Sequence, residues 1–209
     1  MSKKLLLIGG GGHCHSVLDS VLALNEYDDI GIIDSIDNSF SGISVIGTDE
    51  DVPKLFKDSW KYAFITVGSI GNTEIRKRLY KMIKEIGLFI PTIIDSTAVI
   101  GANVTIDEGT FIGKRAIINT GSKIGTCSII NTGAIIEHDC IINNFSHISP
   151  GAILCGQVTI GNDTHIGAGT TVKQLINIGN NTLIGAGSVV VSDIPSNIKA
   201  YGNPCKVVE

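Results

Sequence analysis

Aliphatic residues recur at every sixth position from Ile94 to Val190, and this regularity dominates the hydrophobic pattern of the chain. All seventeen of these positions carry Ile, Leu or Val, and the frame never shifts. The fifth position of each hexad is usually small or β-branched, as in Ala116 and Ser128. Because a helix needs apolar residues every three or four positions and a lone strand needs alternation, neither explains this spacing. The pattern predicts a parallel β-helix in which three hexads form one triangular coil and residues eighteen apart stack.

A different pattern precedes the hexads and predicts a small, Rossmann-like α/β domain. Residues 3–9 read as a buried parallel strand, a glycine run follows, and residues 16–24 carry apolar side chains at helical spacing. Further elements are predicted as strands at 30–33, 44–46 and 63–67 and as helices near 50–56 and at 73–86. We expect the α/β domain over residues 1–91 and the all-β domain, with a C-terminal tail, over residues 92–209.

The helix predicted at 73–86 combines an apolar face with several basic residues. Its apolar positions are Ile75, Leu79, Met82, Ile83 and Ile86. The basic residues are expected to form a solvated face, and Gly87 is expected to end the helix.

The run Gly9-Gly10-Gly11-Gly12-His13 joins the first predicted strand to the first helix. Backbone N–H groups in such a turn, together with the helix N-terminus, can hold a phosphate. The dinucleotide fingerprint is incomplete because Cys14 stands where its third glycine belongs, although Asp34 is well spaced to meet a ribose hydroxyl. A mononucleotide or nucleotide-sugar site is favoured, while NAD binding and a purely structural turn remain as alternatives.

Composition narrows the class of protein further. Hydrophobic residues make up 43% of the chain and aromatic residues only 5%, so Ile, Val and Leu build the core. The net charge of −4 and the absence of a basic block argue against nucleic acid and anionic membranes as partners. No signal-peptide core and no apolar run of about 18 residues is present, and the five cysteines form no C-x-x-C pair. These features favour a reduced, cytoplasmic protein.

Three of the five histidines lie within the repeat. His147 and His165 are eighteen apart and are expected to stack on successive coils, whereas His138 lies half a coil away. His138 stands between Glu137 and Asp139, where a carboxylate could fix its tautomer and make it a general base. The alternative is an exposed corner histidine, and spacing alone does not separate the two interpretations.

Several segments together resemble one family, that of the sialic acid O-acetyltransferases and the bacterial nucleotide-amino-sugar N-acetyltransferases. The resemblance is closest to the UDP-4-amino-4,6-dideoxy-N-acetyl-sugar acetyltransferases, which make bacillosamine-type precursors and have a left-handed β-helix. It spans essentially the whole chain and rests on the hexads and on the segments 9–13, 65–76, 137–140, 147–152 and 202–206. Departures at Cys14 and His15 lie near the expected nucleotide site.

The resemblance implies an acetyl-CoA-dependent enzyme that acetylates the 4-amino group of a nucleotide-activated sugar. It implies that His138 is the general base, that Asp139 raises its basicity and that the N–H of Gly156 holds the oxyanion. It also implies a homotrimer with active sites between adjacent β-helices, and no metal. It assigns Asn131 to the sugar. It assigns to the nucleotide Gly11, Gly12, His13, Asp34 and Gly68. It assigns to acetyl-CoA His147, Ala168, Ala186, Pro204 and Lys206.

Three other functions compete with this interpretation. A sialic acid O-acetyltransferase would use the same acetyl donor and the same histidine on a hydroxyl acceptor. A zinc enzyme of the carbonic-anhydrase type would need two ligand histidines five residues apart, and no such pair occurs. A non-catalytic scaffold that binds a nucleotide-sugar is the third alternative, and the pairing of His138 with a carboxylate argues against it.

Overall fold

The computed structural model describes residues 2–208 and separates them into two compact units. The first unit contains the residues up to Ser69 together with Glu74–Ile93. The second contains Ile70–Thr73 together with the residues from Ile94 onward. The short segment belongs to the second unit, where the Thr73 hydroxyl donates to Asp163 Oδ1 at 2.6 Å.

The first unit is a four-stranded parallel sheet with helices. The spatial order of the strands is β3-β2-β1-β4, so the connections reverse direction between β1 and β4. A reversal of this kind opens a crevice at the carboxyl ends of the strands, which is where α/β sheets bind ligands. The elements are β1 (Lys4–Ile8), α1 (Gly12–Leu24), β2 (Asp29–Ile33), β3 (Val45–Gly47), a 3₁₀ turn (Asp49–Asp51), α2 (Val52–Lys57), β4 (Tyr62–Ile65) and α3 (Glu74–Ile86).

These elements agree with the predicted ones, with small shifts at the ends. The run Leu5-Leu6-Leu7 is fully buried because β1 is a central strand. Helix α1 begins at Gly12, four residues earlier than predicted, since Gly11 is extended and its carbonyl accepts from the N–H of Cys14 at 2.8 Å. The helix ends where Asn25 turns left-handed (φ 51°) and its N–H returns to the last carbonyls.

The prediction of a solvated basic face on α3 is wrong for Arg76. This side chain is only 1% exposed, whereas Ile75, predicted on the apolar face, is 55% exposed. The buried positions are Arg76, Leu79 and Ile83, which follow the i, i+3, i+7 spacing of one helix face. Leu79 and Ile83 are buried as predicted, but Arg76 takes the place on this face that was expected for Ile75, and the long apolar stem of arginine is suited to it.

The second unit contains the predicted β-helix. Each strand has two residues, and the second is the aliphatic residue that recurs at every sixth position. Each strand residue pairs in parallel with the residue eighteen positions further on, as Ile129 pairs with His147. The first face contains β5 (Ile93–Ile94), β8 (Phe111–Ile112), β11 (Ile129–Ile130), β14 (His147–Ile148), β17 (His165–Ile166) and β20 (Leu183–Ile184). The second face contains β6 (Val99–Ile100), β9 (Ile117–Ile118), β12 (Ile135–Ile136), β15 (Ile153–Leu154), β18 (Thr171–Val172) and β21 (Val189–Val190). The third face contains β7 (Thr105–Ile106), β10 (Lys123–Ile124), β13 (Ile141–Ile142), β16 (Thr159–Ile160) and β19 (Asn177–Ile178).

The small residue at the fifth hexad position also has a physical reason. This side chain points inward at the corner, next to the backbone of the following turn. The hydroxyl of Ser128 donates to the Asn143 carbonyl at 2.9 Å, and that of Thr164 donates to Gly179 at 2.7 Å. A small hydroxyl fills this space and satisfies a corner carbonyl that the strand ladder does not reach.

The chain ends with a hairpin at the edge of the first face. Strand β22 (Lys199–Tyr201) pairs in parallel with β20, and β23 (Lys206–Val207) pairs antiparallel with β22. This hairpin contains the Gly/Pro-marked tail that was predicted beyond the last hexad. Within residues 2–208, every helix is too short or too polar to cross a bilayer.

Candidate active site

His138 lies at the corner between β12 and β13, which joins the second face to the third. Its side chain is 50% exposed, and its Nδ1 lies 2.9 Å from Asp139 Oδ2. Asp139 has a left-handed backbone (φ 58°), a conformation that Asp tolerates better than most residues. A proton shared with the carboxylate belongs on Nδ1, so Nε2 is left as the basic nitrogen.

Gly156 lies one coil further along, against the face of the His138 ring. A Cβ built on Gly156 would overlap His138 Nε2 and would lie 2.6 Å from Cε1. Only a residue without a side chain lets the imidazole lie this close to the backbone. The two residues that the resemblance assigned to proton transfer and to the oxyanion are therefore neighbours.

The N–H of Gly156 is available because of the residue that precedes it. One coil below His138, the N–H of Thr120 donates to the Asn119 side chain at 2.8 Å, and the N–H of His138 faces Glu137 Oε2 at 3.4 Å. The equivalent residue before Gly156 is Cys155, which has no oxygen to accept this bond. Among the described residues, the Gly156 N–H donates to no other group, so it can serve an acceptor that is not part of the protein.

The Asn119 contact to Glu137 is a feature that the sequence analysis missed. Asn119 Nδ2 donates to Glu137 Oε2 at 3.0 Å, and the same oxygen faces the N–H of His138. The pair therefore fixes the turn that presents His138. The sequence shows that Asn119 and Glu137 are eighteen residues apart and therefore stack on successive coils, but it does not show that their side chains form a hydrogen bond.

Asn131 and His147 form a second polar pair on the first face. The Thr132 N–H donates to Asn131 Oδ1 at 2.8 Å, and Asn131 Nδ2 lies 3.2 Å from His147 Nε2. His147 is also in register with His165, as the eighteen-residue rule predicted, and their rings meet edge to face with centroids 4.9 Å apart.

Within one chain the two polar centres lie at different corners. His138 is at the corner between the second and third faces, and His147 is on the first face beside the corner to the second. Ala168 and Ala186 are exposed at that same corner on the next two coils, and Pro204 and Lys206 are exposed in the C-terminal hairpin region. The structure therefore brings His138, Asp139 and Gly156 together, and it separates them from the residues assigned to acetyl-CoA.

The glycine run of the first unit forms a turn tied to Asp34. The N–H of Gly10 donates to Asp34 Oδ2 at 2.5 Å, and Gly68 lies beside His13, since a Cβ on it would be 3.5 Å from that of His13. Burial raises the pKa of Asp34, but bonds from the N–H groups of Gly10 and Ile36 and from a nearby asparagine amide lower it overall. Asp34 is therefore a carboxylate at neutral pH.

An open cavity of about 550 Å³ lies at the carboxyl ends of β1 and β2, next to the crevice that the strand order opens. Its size suits a nucleotide. An ion pair joins Arg78 Nη2 and Asp49 Oδ2 at 3.2 Å in its wall. No motif in the sequence pointed to most of these wall residues, which include Thr48, Asp49, Glu50, Ile75 and Arg78.

No metal centre emerges from the described part of the chain, and Cys140 is not a reactive thiol. Residues 2–208 contain no group of three or more His, Cys, Asp or Glu side chains arranged to hold a metal ion. All five cysteines are free thiols. Cys140 is fully buried at a fifth hexad position, and burial raises its pKa to about 11, so it is a packing residue.

Comparison with known proteins places this geometry in a family. The family described as "PglD N-terminal domain" matches residues 4–83. The acetyltransferase domain of PglB from Neisseria gonorrhoeae, solved with acetyl coenzyme A, is 32% identical, with a TM-score of 0.93 over 100% of both chains. PerB from Caulobacter crescentus, solved with CoA and GDP-perosamine, is 31% identical, with a TM-score of 0.91 over 99% of this chain and 97% of that chain.

Full-length identity at this level shows an acyltransferase of the hexapeptide β-helix class. The chain belongs to the family of nucleotide-amino-sugar N-acetyltransferases. The resemblance noted in the sequence is thus confirmed, and so are the predicted fold class, with its left-handed β-helix, and the predicted class of enzyme.

Proposed function

We propose that the protein transfers an acetyl group from acetyl-CoA to the 4-amino group of a nucleotide-activated amino sugar of the bacillosamine-precursor type. Family membership supports the N-acetyl transfer, and relatives have been solved with acetyl coenzyme A and with CoA and GDP-perosamine. The observation that carries the proposal is the His138–Asp139 pair, which lies against a Gly156 N–H that no other described group uses.

These residues account for each step of the transfer. The sugar amine attacks the thioester carbonyl, and His138 Nε2 takes the proton that the amine loses while Asp139 stabilises the resulting cation. The Gly156 N–H donates to the oxyanion of the tetrahedral intermediate, a bond that contributes about 3–4 kcal/mol in comparable sites. The C–S bond then breaks, and His138 returns its proton to the leaving CoA thiolate.

A homotrimer would complete the site. The outward positions of the second face form an apolar stripe in which only Thr171 is polar, and it consists of Val99, Ile117, Ile135, Ile153 and Val189. Such a stripe on a soluble surface marks an interaction site. Turning this face toward a three-fold axis brings the His138 corner of one subunit against the His147 corner of the next. Acetyl-CoA would bind in that groove, along His147, Ala168 and Ala186, with Pro204 and Lys206 beside it.

In this proposal the first unit holds the nucleotide. Gly11, Gly12 and His13 at the start of α1 offer N–H donors to a pyrophosphate. Asp34, at the end of β2, can accept from a ribose hydroxyl, and Gly68 leaves room beside His13. Asn131 would help to place the sugar. Because the co-substrates are cytoplasmic metabolites, we place the enzyme in the cytoplasm.

The test measures thiol release from acetyl-CoA with UDP-, dTDP- and GDP-linked 4-amino sugars and with sialic acids as acceptors. Native protein is compared with His138→Ala and with the control Gln174→Ala, an exposed residue two coils above His138 on the same corner. Release with a 4-amino sugar that collapses only in His138→Ala supports the proposal. Thiol release with sialic acids alone contradicts the proposed acceptor. Thiol release that survives in His138→Ala contradicts the assignment of His138 as the base.

A further inference from the structure

Two histidines interrupt an otherwise apolar column on the first face. The outward positions of successive coils there are Phe111, Ile129, His147, His165 and Leu183. His147 and His165 are register partners with their rings edge to face. Phe111 and Ile129 are buried, so the column is a packed surface on which a polar ring needs its own hydrogen-bond partners.

The Asn131 amide determines the tautomer of His147. Since the Asn131 Oδ1 accepts from the Thr132 N–H at 2.8 Å, it is the NH₂ end of the amide that lies 3.2 Å from His147 Nε2. An NH₂ group only donates, so His147 Nε2 must accept and the ring proton must be on Nδ1. The ring is therefore neutral in this arrangement, and its Nδ1–H is a hydrogen-bond donor.

The same arrangement repeats one coil further along. Ser149 is eighteen residues after Asn131, and its Oγ lies 3.3 Å from Nε2 of His165. Ser149 is buried and His165 is only 8% exposed, and burial lowers the pKa of His165, which keeps it neutral. On the next coil Gly167 and Leu183 take these two places, so the polar arrangement is confined to two tiers.

His165 Nδ1 is buried and has no hydrogen-bond partner among residues 2–208. Neither solvent nor a bound ligand can reach a nitrogen with so little accessible surface. A buried polar atom without a partner lowers the stability of the fold, so its presence calls for an explanation in the function of the ring. His165 contacts the Ser149 hydroxyl and the His147 ring, and because Ser149 is itself buried, the effect of His165 on a bound ligand passes through His147.

We infer that Ser149 and His165 are positioning residues for the acetyl donor. They hold the His147 ring so that Nε2 stays on the Asn131 amide and the ring proton stays on Nδ1. The inference rests on the proposed function, in which His147 lines the acetyl-CoA groove. It adds a second tier of residues that keeps the His147 ring on the amide that fixes its tautomer, without touching the substrate.

The experiment reads the protons on the His147 ring directly. Long-range ¹H–¹⁵N correlation spectra of the full chain distinguish a protonated from an unprotonated ring nitrogen and require neither acceptor nor turnover. We expect native His147 to carry its proton on Nδ1. In Ser149→Ala and in His165→Phe, the ring should populate both tautomers, and the KM for acetyl-CoA should rise about two- to tenfold, the range of one neutral hydrogen bond, with kcat unchanged.

The matched control is Thr110→Val, which removes another buried hydroxyl, one that donates to the Gly125 carbonyl at 2.9 Å. Ser149→Thr, which keeps the hydroxyl, should restore the native spectrum and KM. A native His147 with its proton on Nε2 overturns the inference. The inference is also overturned if Ser149→Ala and His165→Phe lose stability but keep the same His147 tautomer and the same KM for acetyl-CoA as the control. If no sugar is acetylated, the proposed function fails, but the spectra still decide this inference.

Discussion

Replacing Gly156 with alanine tests the reaction centre, because the new methyl group would occupy the space of the His138 ring. An ideal Cβ at this position lies 2.6 Å from Cε1 and 3.0 Å from Cδ2 of His138, and it overlaps Nε2. Carbon atoms pack at about 3.5–4.0 Å, so the ring must retreat by roughly 1 Å. The backbone of Gly156 lies outside the left-handed region, so alanine itself is tolerated there.

The expected result is a large loss of rate with little loss of stability. A displacement of about 1 Å in a catalytic group can lower the rate about 100-fold, which corresponds to roughly 2.7 kcal/mol. Complete loss of a general base sets the upper limit at about 10⁴-fold. Because the His138 ring is half-exposed and can swing toward solvent, the free energy of unfolding should change by less than about 1 kcal/mol.

The assay is thiol release at saturating acetyl-CoA and amino sugar, with Gln174→Ala as the control. In the double variant Gly156→Ala/His138→Ala, the losses should not add, since the first change has already displaced the base. A Gly156→Ala enzyme with a kcat within about twofold of native would refute the reasoning, since no 1 Å shift of a working base is that small in effect. Fully additive losses would show that Gly156 acts independently of His138.

Three further predictions concern the rest of the chain. Asp34→Asn should raise the KM for the nucleotide sugar about tenfold and leave the KM for acetyl-CoA unchanged. Because the pKa of Asp34 is lowered in the fold, its stabilising effect is complete above the ordinary aspartate pKa and is lost as the pH falls through the lowered pKa, so the urea unfolding curves of native protein and variant should converge in acid. Lys114→Met, which leaves the buried Asp95 without the ammonium 3.1 Å away, should lower the free energy of unfolding by about 1–3 kcal/mol, and adding Asp95→Asn should restore most of it in urea titrations. We expect light scattering to find the proposed trimer in native protein and in Thr159→Lys, on the third face, and a smaller species in Ile117→Lys, on the second face. A trimer that survives Ile117→Lys contradicts the proposed axis.

The β-helix could be predicted from the sequence because its information is one-dimensional. Each coil packs only on its neighbours, so a period of six and a stacking rule of eighteen fix the faces, the corners and the His147–His165 register. The same rule predicted that Gly156 follows His138 by one coil. The role of each residue came from the family resemblance and remains a prediction.

What could not be predicted depends on contacts through space. The burial of Arg76 requires knowing how far the inward face of α3 extends, and the apolar pattern placed Ile75 on that face instead of Arg76. The Arg78–Asp49 pair joins segments 29 residues apart that follow no period. The Ser149–His165 contact needs the side-chain conformation of both residues, which spacing does not supply.

The stacking of Gly156 above His138 has a consequence for how such an enzyme can change. Neighbouring strands of a sheet are about 4.8 Å apart, so the hydrogen-bond ladder sets the height of the oxyanion donor above the base. That height is a property of the backbone, and substitutions elsewhere leave it alone. A gain of whole coils beyond Gly156 would lengthen the proposed acetyl-CoA groove, and a loss would shorten it, without altering the reacting pair. The hydrogen-bond ladder of the β-helix thus fixes the spacing of the reacting pair, and the length of the proposed acetyl-CoA groove can change while that spacing stays constant.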